Sequence, residues 1–157
     1  MPILDLYRGL NKIATPDEIL EINQLSERYG LILDTIGALE ILKTRNQALR
    51  DYGRIELSNE PIKNMIKTFC SSPYIHKHNY VEVLSELIDI FYCFKNETRD
   101  LISDQELLSL MKEYYDTSCS GSLDLLRNRE MMILVGDIGR RSWEDNREEE
   151  SSNGPQI

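Results

Sequence analysis

The stretch NYVEVLSELIDIFYCFKNE, residues 79–97, limits the fold more than any other part of the chain. At about 100° per residue on a helix, Tyr80, Val81, Val83, Leu84, Leu87, Ile88, Ile90, Phe91, Tyr92 and Phe94 spread round most of the circumference. A helix this apolar is stable only when neighbours pack on several sides, which predicts the central helix of an all-α domain. The remaining arc carries Glu82, Ser85, Glu86, Asp89, Cys93, Asn96 and Glu97, all within about 60° of one line. Charged helical faces are ordinarily solvated, so a narrow wet strip is expected; the sharper alternative is a set of carboxylates lining a pocket and raising one another's pKa values.

The flanking sequence supplies layers to cover that helix. Thr15-Pro16-Asp17-Glu18 reads as a helix start with a capping box, Ile19, Leu20, Ile22 and Leu25 as its stripe, and Gly30 as its left-handed stop. A shorter helix is expected before it, at residues 3–11. Asp34 or Thr35 opens the next helix, with apolar positions Ile36, Leu39, Ile41, Leu42 and Leu49, a wet face at Lys43, Arg45, Asn46 and Gln47, and Gly53 as its close. Arg54-Ile55-Glu56-Leu57 alternates polar and apolar residues without an obvious partner strand, and is expected to be extended linker.

Further on, Asn59 and Pro61 open a helix striped by Ile62, Met65, Ile66 and Phe69, which must end near Cys70 because Pro73 disfavours helical geometry at Ser72. Asn79, with Glu82 in the capping-box position, starts the central helix; Ser103 and Glu106 form a further box before Leu107, Leu108, Leu110, Met111 and Tyr114. Gly121-Ser122 caps a short helix through Leu123, Leu125 and Leu126, and an apolar run from Met131 to Val135 follows. The expected architecture is a compact bundle or orthogonal array of about six or seven helices over residues 1–143. Residues 144–157, EDNREEESSNGPQI, hold too little apolar surface to offset their ordering entropy and are expected to be an acidic disordered tail.

Charge narrows the function. The chain of 157 residues carries 18 basic and 27 acidic side chains, a formal net charge of −9, which repels phosphate backbones and anionic lipid. The only compact basic group, Arg127, Arg129, Arg140 and Arg141, is interleaved with acids, so no nucleic-acid partner is expected. No run reaches the roughly 18 apolar residues of a membrane span, and no basic leader precedes an apolar run at the N-terminus. Cys70, Cys93 and Cys119 are odd in number and widely spaced, which points to free thiols in a reducing cytoplasm.

Chemistry concentrates in CSSPYIHKHNY, residues 70–80, which holds both histidines. A turn that converged His76 and His78 beside Glu82 and Glu86 would make a His and carboxylate set of the kind zinc, iron or manganese accepts. The segment lacks a third histidine or a His-Glu-x-x-His helix, so the simpler reading is a loop of breaking and capping residues between two helices. Cys70 lies at a helix C-terminus, which disfavours a thiolate; Cys93 sits among acids, which raise its pKa; Cys119 is near a helix start but more simply structural. Gly136-Asp137-Ile138-Gly139 lacks the third glycine of a dinucleotide fold, and Ser118-Cys119-Ser120-Gly121-Ser122 lacks the lysine of a P-loop. No cofactor is expected.

The segments ALRDYGRIEL, IKNMIKTFCSSPYI, NYVEVLSELIDIFYCFKNE, SDQELLSLM and GSLDLL, in order between Ala48 and Leu126, resemble a small bacterial family of unknown function. The N-terminal third fits the pattern more loosely, and the stretch from Arg127 onwards is expected to be peculiar to this chain. The resemblance implies a bacterial cytoplasmic helical domain and supplies no activity, ligand or catalytic residue. With no complete catalytic set, cofactor motif or basic footprint, the expected function is an interaction or adaptor module working through a protein partner or self-association. A small metal-dependent or carboxylate-based enzyme using His76, His78, Glu82 and Glu86 is the alternative.

Overall fold

Helix ends leave backbone groups without intrahelical partners, and where side chains complete them the elements begin and stop. In the computed structural model, which describes residues 16–128, α1 spans Pro16–Leu20, α2 Asn23–Ser26, α3 Thr35–Asp51, α4 Glu60–Phe69, α5 Tyr80–Glu97, α6 Asp104–Asp116 and α7 Leu123–Leu126. The fold is all-helical, with no strand among the described residues. Asp34 accepts from the Gly37 amide at 2.7 Å, Ser103 from Glu106 at 3.2 Å and Ser122 from Leu125 at 3.2 Å, the caps anticipated for α3, α6 and α7. Thr15, the helix expected at 3–11, the run from Met131 to Val135 and the acidic tail lie outside the described residues.

Two anticipated caps are corrected. Asn59 and Asn79 hold ψ near 4°, not the extended backbone that aims an N-cap side chain at the first turn, and neither caps its helix. Asn59 instead donates to Glu18 Oε2 at 3.0 Å, tying the start of α4 to α1, while Ser58 Oγ takes the Glu60 amide at 3.0 Å. Asn79 reaches backwards, accepting from the His76 amide at 2.6 Å and donating to the Tyr74 carbonyl at 3.3 Å. The helix expected to run from Pro16 to Gly30 is also broken after Leu20. Asn23, just beyond the break, clamps Leu33 through two hydrogen bonds of 2.8 Å. A 3-10 turn over Glu27–Tyr29 then closes at Gly30 with φ 74°, the left-handed stop expected there.

α5 is the centre. It packs most extensively on α3 and also meets α4, α6 and α7, while α4 lies on α6 and α1 on α3. Tyr80, Val83, Leu84, Leu87, Ile88, Ile90, Phe91, Tyr92 and Phe94 are buried and Val81 is half-buried, as the wide apolar arc predicts. Met65 and Phe69 of α4 and Leu107, Leu108, Met111 and Tyr115 of α6 complete one continuous core, each large side chain contributing about 1.5–3 kcal/mol of transfer free energy.

α3 presents a different face from the one its apolar residues suggest. Its buried arc is Gly37, Ala38, Ile41, Leu42, Ala48 and Leu49, and Arg45 stands in the middle of it at 3% exposure. Ile36 and Leu39 turn outward, 73% and 50% exposed. At about 100° per residue Arg45 falls between Ile41 and Leu42 in angle, so the rotation that buries those two necessarily buries the arginine. The assignment of Arg45 to a wet face and of Ile36 and Leu39 to the core is therefore reversed.

Candidate functional site

The loop holding the histidines is joinery. Cys70 ends α4, and buried Ser72 donates to Asp116 Oδ1 at 2.6 Å, fixing the loop to α6. Ile75 is buried, and Tyr74 packs edge-on against Tyr115 with ring centroids 6.0 Å apart. His76, His78 and Glu82 are exposed, whereas Glu86 is half-buried with its carboxylate 3.6 Å from Arg127. Among the described residues no three His, Cys, Asp or Glu side chains are gathered as a metal-holding group, so this loop does not bring the four together.

The acidic strip of α5 is neither an open wet face nor a closed cavity. Glu82 and Glu97, at its ends, are exposed; Ser85, Glu86, Asp89, Cys93 and Asn96 are half-buried. Arg127, at the end of α7, donates to Asp89 Oδ2 at 2.8 Å. Arg54 donates to Asn96 Oδ1 at 2.6 Å and to Asp100 Oδ1 at 2.7 Å. Arg127 thus serves as an internal ion-pair partner; Arg129, Arg140 and Arg141 lie outside the described residues. The recess beside it, lined by Ile90, Cys93, Phe94 and Arg127, has a volume of about 200 Å³, smaller than the roughly 300 Å³ at which ligand sites begin.

None of the thiols is poised to react. Burial pushes Cys70, Cys93 and Cys119 above the ordinary thiol value, and Asp89 and Glu97 add to the rise at Cys93.

The dense polar construction lies instead around the linker, residues 54–58. Arg45 reaches out of the core and its Nη2 donates to the backbone carbonyls of Glu56 and, at 3.2 Å, of Ser58. The Glu56 carboxylate accepts from the buried Tyr92 phenol at 2.7 Å and from Lys95 Nζ at 2.9 Å, and Lys95 also pairs with Asp104 at 3.0 Å. Burial works against the Lys95 charge, but Glu56 and Asp104 outweigh it and hold its pKa above the usual lysine value. Burial, reinforced by the bond to Glu56, likewise pushes the Tyr92 phenol well above the usual range. Such a network is stable because nearly every charge in it meets a partner; leaving one unpaired in this position costs several kcal/mol, about 3–5.

Polar residues pinned inward force their neighbours outward. Arg54 and Glu56 are half-buried, while Ile55 is 91% exposed and Leu57 50% exposed, an alternation that marks extended backbone. The linker expected at 54–57 is confirmed, but with the apolar side chains facing solvent. Its far end opens into a groove of about 480 Å³ lined by Glu18, Glu21, Leu57, Asn59, Glu60 and Lys63 among others. Sequence reasoning missed this region; the signal that could have found it was the angular position of Arg45 inside the apolar arc of α3.

A family model described as a family of unknown function, DUF6323, matches residues 18–144. The match extends on both sides of the Ala48 to Leu126 stretch that carried the resemblance, and it takes in residues from Arg127 onwards that were expected to be peculiar to this chain. No curated protein and no solved structure matches the chain.

Proposed function

Given that the chain belongs to the family of unknown function DUF6323, we propose that it is a cytoplasmic protein-interaction module without catalytic chemistry of its own, and that the linker at residues 54–58 is its contact surface. The observation that supports this reading is the outward display of Ile55 and Leu57 on backbone anchored by Arg45, Arg54 and Glu56. A mobile loop can fold apolar side chains back against the protein. This one is held in place by buried hydrogen bonds, so the apolar pair stays in water until a partner covers it. A folded-state surface of this kind binds with little ordering of its own backbone.

The test is a photo-reactive phenylalanine analogue at Ile55, with a second protein carrying it at exposed Glu113 on α6 as control. A discrete adduct to one protein species, formed from position 55 and not from 113, is the expected outcome in cells. Equal labelling from both positions, or none from 55, rules the linker out as the contact surface.

A further inference from the structure

We infer that the linker and its groove take an extended, basic and apolar segment of a partner protein, added along the free edge of residues 54–58. This rests on the interaction reading above and assigns the partner's chemistry. Four observations carry it. The first is backbone. In an extended segment successive carbonyls alternate between edges, and Arg45 takes those of Glu56 and Ser58. The backbone groups of Ile55 and Leu57 make no hydrogen bond among the described residues, which leaves the opposite edge open to a strand from another chain.

The second is the apolar pair itself, spaced so that Ile55 and Leu57 meet alternate side chains of an added strand. The third is charge: Glu18, Glu21 and Glu60 face the groove, and among the described residues Lys63 is the one cation lining it, its ammonium 3.9 Å from Glu21 and 3.7 Å from Glu60. The fourth is an unmet acceptor. Asn59 is 1% exposed, its amide nitrogen is committed to Glu18, and its Oδ1 has no donor. A buried carbonyl without a donor is costly, so Asn59, which lines the groove, marks its floor as incompletely satisfied, and the surrounding carboxylates favour a positively charged N–H donor above it. A guanidinium or ammonium at the end of an apolar extended segment fits the edge, the apolar pair and the groove together.

The probe is a synthetic peptide, RVTVTVR-amide carrying fluorescein at its N-terminus, titrated against the full chain by fluorescence polarisation. Three comparisons accompany it: the peptide with both arginines replaced by glutamate, its backbone N-methylated form, and the E18Q/E60Q protein. Glutamine at 18 can still accept from Asn59, so this variant should keep the parent's melting temperature. Expected is binding that weakens with salt, and about tenfold or greater loss in each comparison. Equal binding by the N-methylated peptide overturns strand addition. Equal binding by the glutamate peptide, or undiminished binding to E18Q/E60Q, overturns recognition of a basic group, and absence of binding by the arginine peptide overturns the proposal outright. Retention of the position-55 adduct in any of these failures leaves the interaction reading standing with the wrong partner chemistry; loss of the adduct as well removes both.

Discussion

Arg45 illustrates how one residue can decide what a surface offers. Its guanidinium is buried, its Nη2 holds two backbone carbonyls of the linker, and its Nε has no partner. Arg45→Leu suits the apolar arc but strips both carbonyls of their charged donor, with an expected loss of about 2–3 kcal/mol of unfolding free energy, read as a lower denaturant midpoint. Lysine offers a point charge in place of a planar fork, so Arg45→Lys should fall between the two. An unchanged midpoint in Arg45→Leu would mean that the linker is held without it. The polar neighbours Lys43, Asn46 and Gln47 assign Arg45 to a wet face, although helical angle alone places it among Ile41, Leu42 and Leu49. Asn59 and Asn79 were not legible in the same way, because asparagine suits a cap and a turn equally and only the observed ψ separates the two.

At the scale of elements, the corner between α6 and α7 turns on one glycine. Gly121 has φ 79°, and a Cβ built there would stand 2.4 Å from Tyr74 Cγ, within the loop that joins α4 to α5. Gly121→Ala therefore combines backbone strain with a clash against a ring already packed on Tyr115. Gly53, with φ 64° and open space about it, supplies the control for strain alone. Gly53→Ala is expected to cost about 1 kcal/mol and Gly121→Ala about 2–4 kcal/mol by thermal unfolding, the difference reporting the clash. The central position of α5 was readable because so wide an apolar arc admits one explanation. The break between α1 and α2 was not, because residues 16–25 carry a continuous helical stripe and the clamp from Asn23 to Leu33 joins residues ten apart.

For the whole molecule, the buried phenols set an alkaline limit on stability. Burial pushes the Tyr80 phenol from 10.0 up to about 12, while Tyr52 and Tyr92 are also raised above the ordinary range. Each stays protonated in the folded chain where the unfolded chain would ionise, so its contribution is complete below about pH 10 and is lost as pH climbs toward the folded value. Denaturant midpoints should accordingly fall steeply between about pH 10 and 12, with tyrosinate absorbance rising together with the loss of helical circular dichroism. Absorbance that rises fully before the helices melt would show the phenols to be accessible. The all-helical architecture was legible from caps and periodicity, which are local. The Tyr92–Glu56, Lys95–Glu56 and Arg54–Asp100 contacts were not, because they join residues 36, 39 and 46 positions apart. That separation has a kinetic consequence. Contacts that span so much chain form only after the intervening helices have met, so the polar clasp over the linker contributes little to the speed of folding and acts chiefly by slowing escape from the native state.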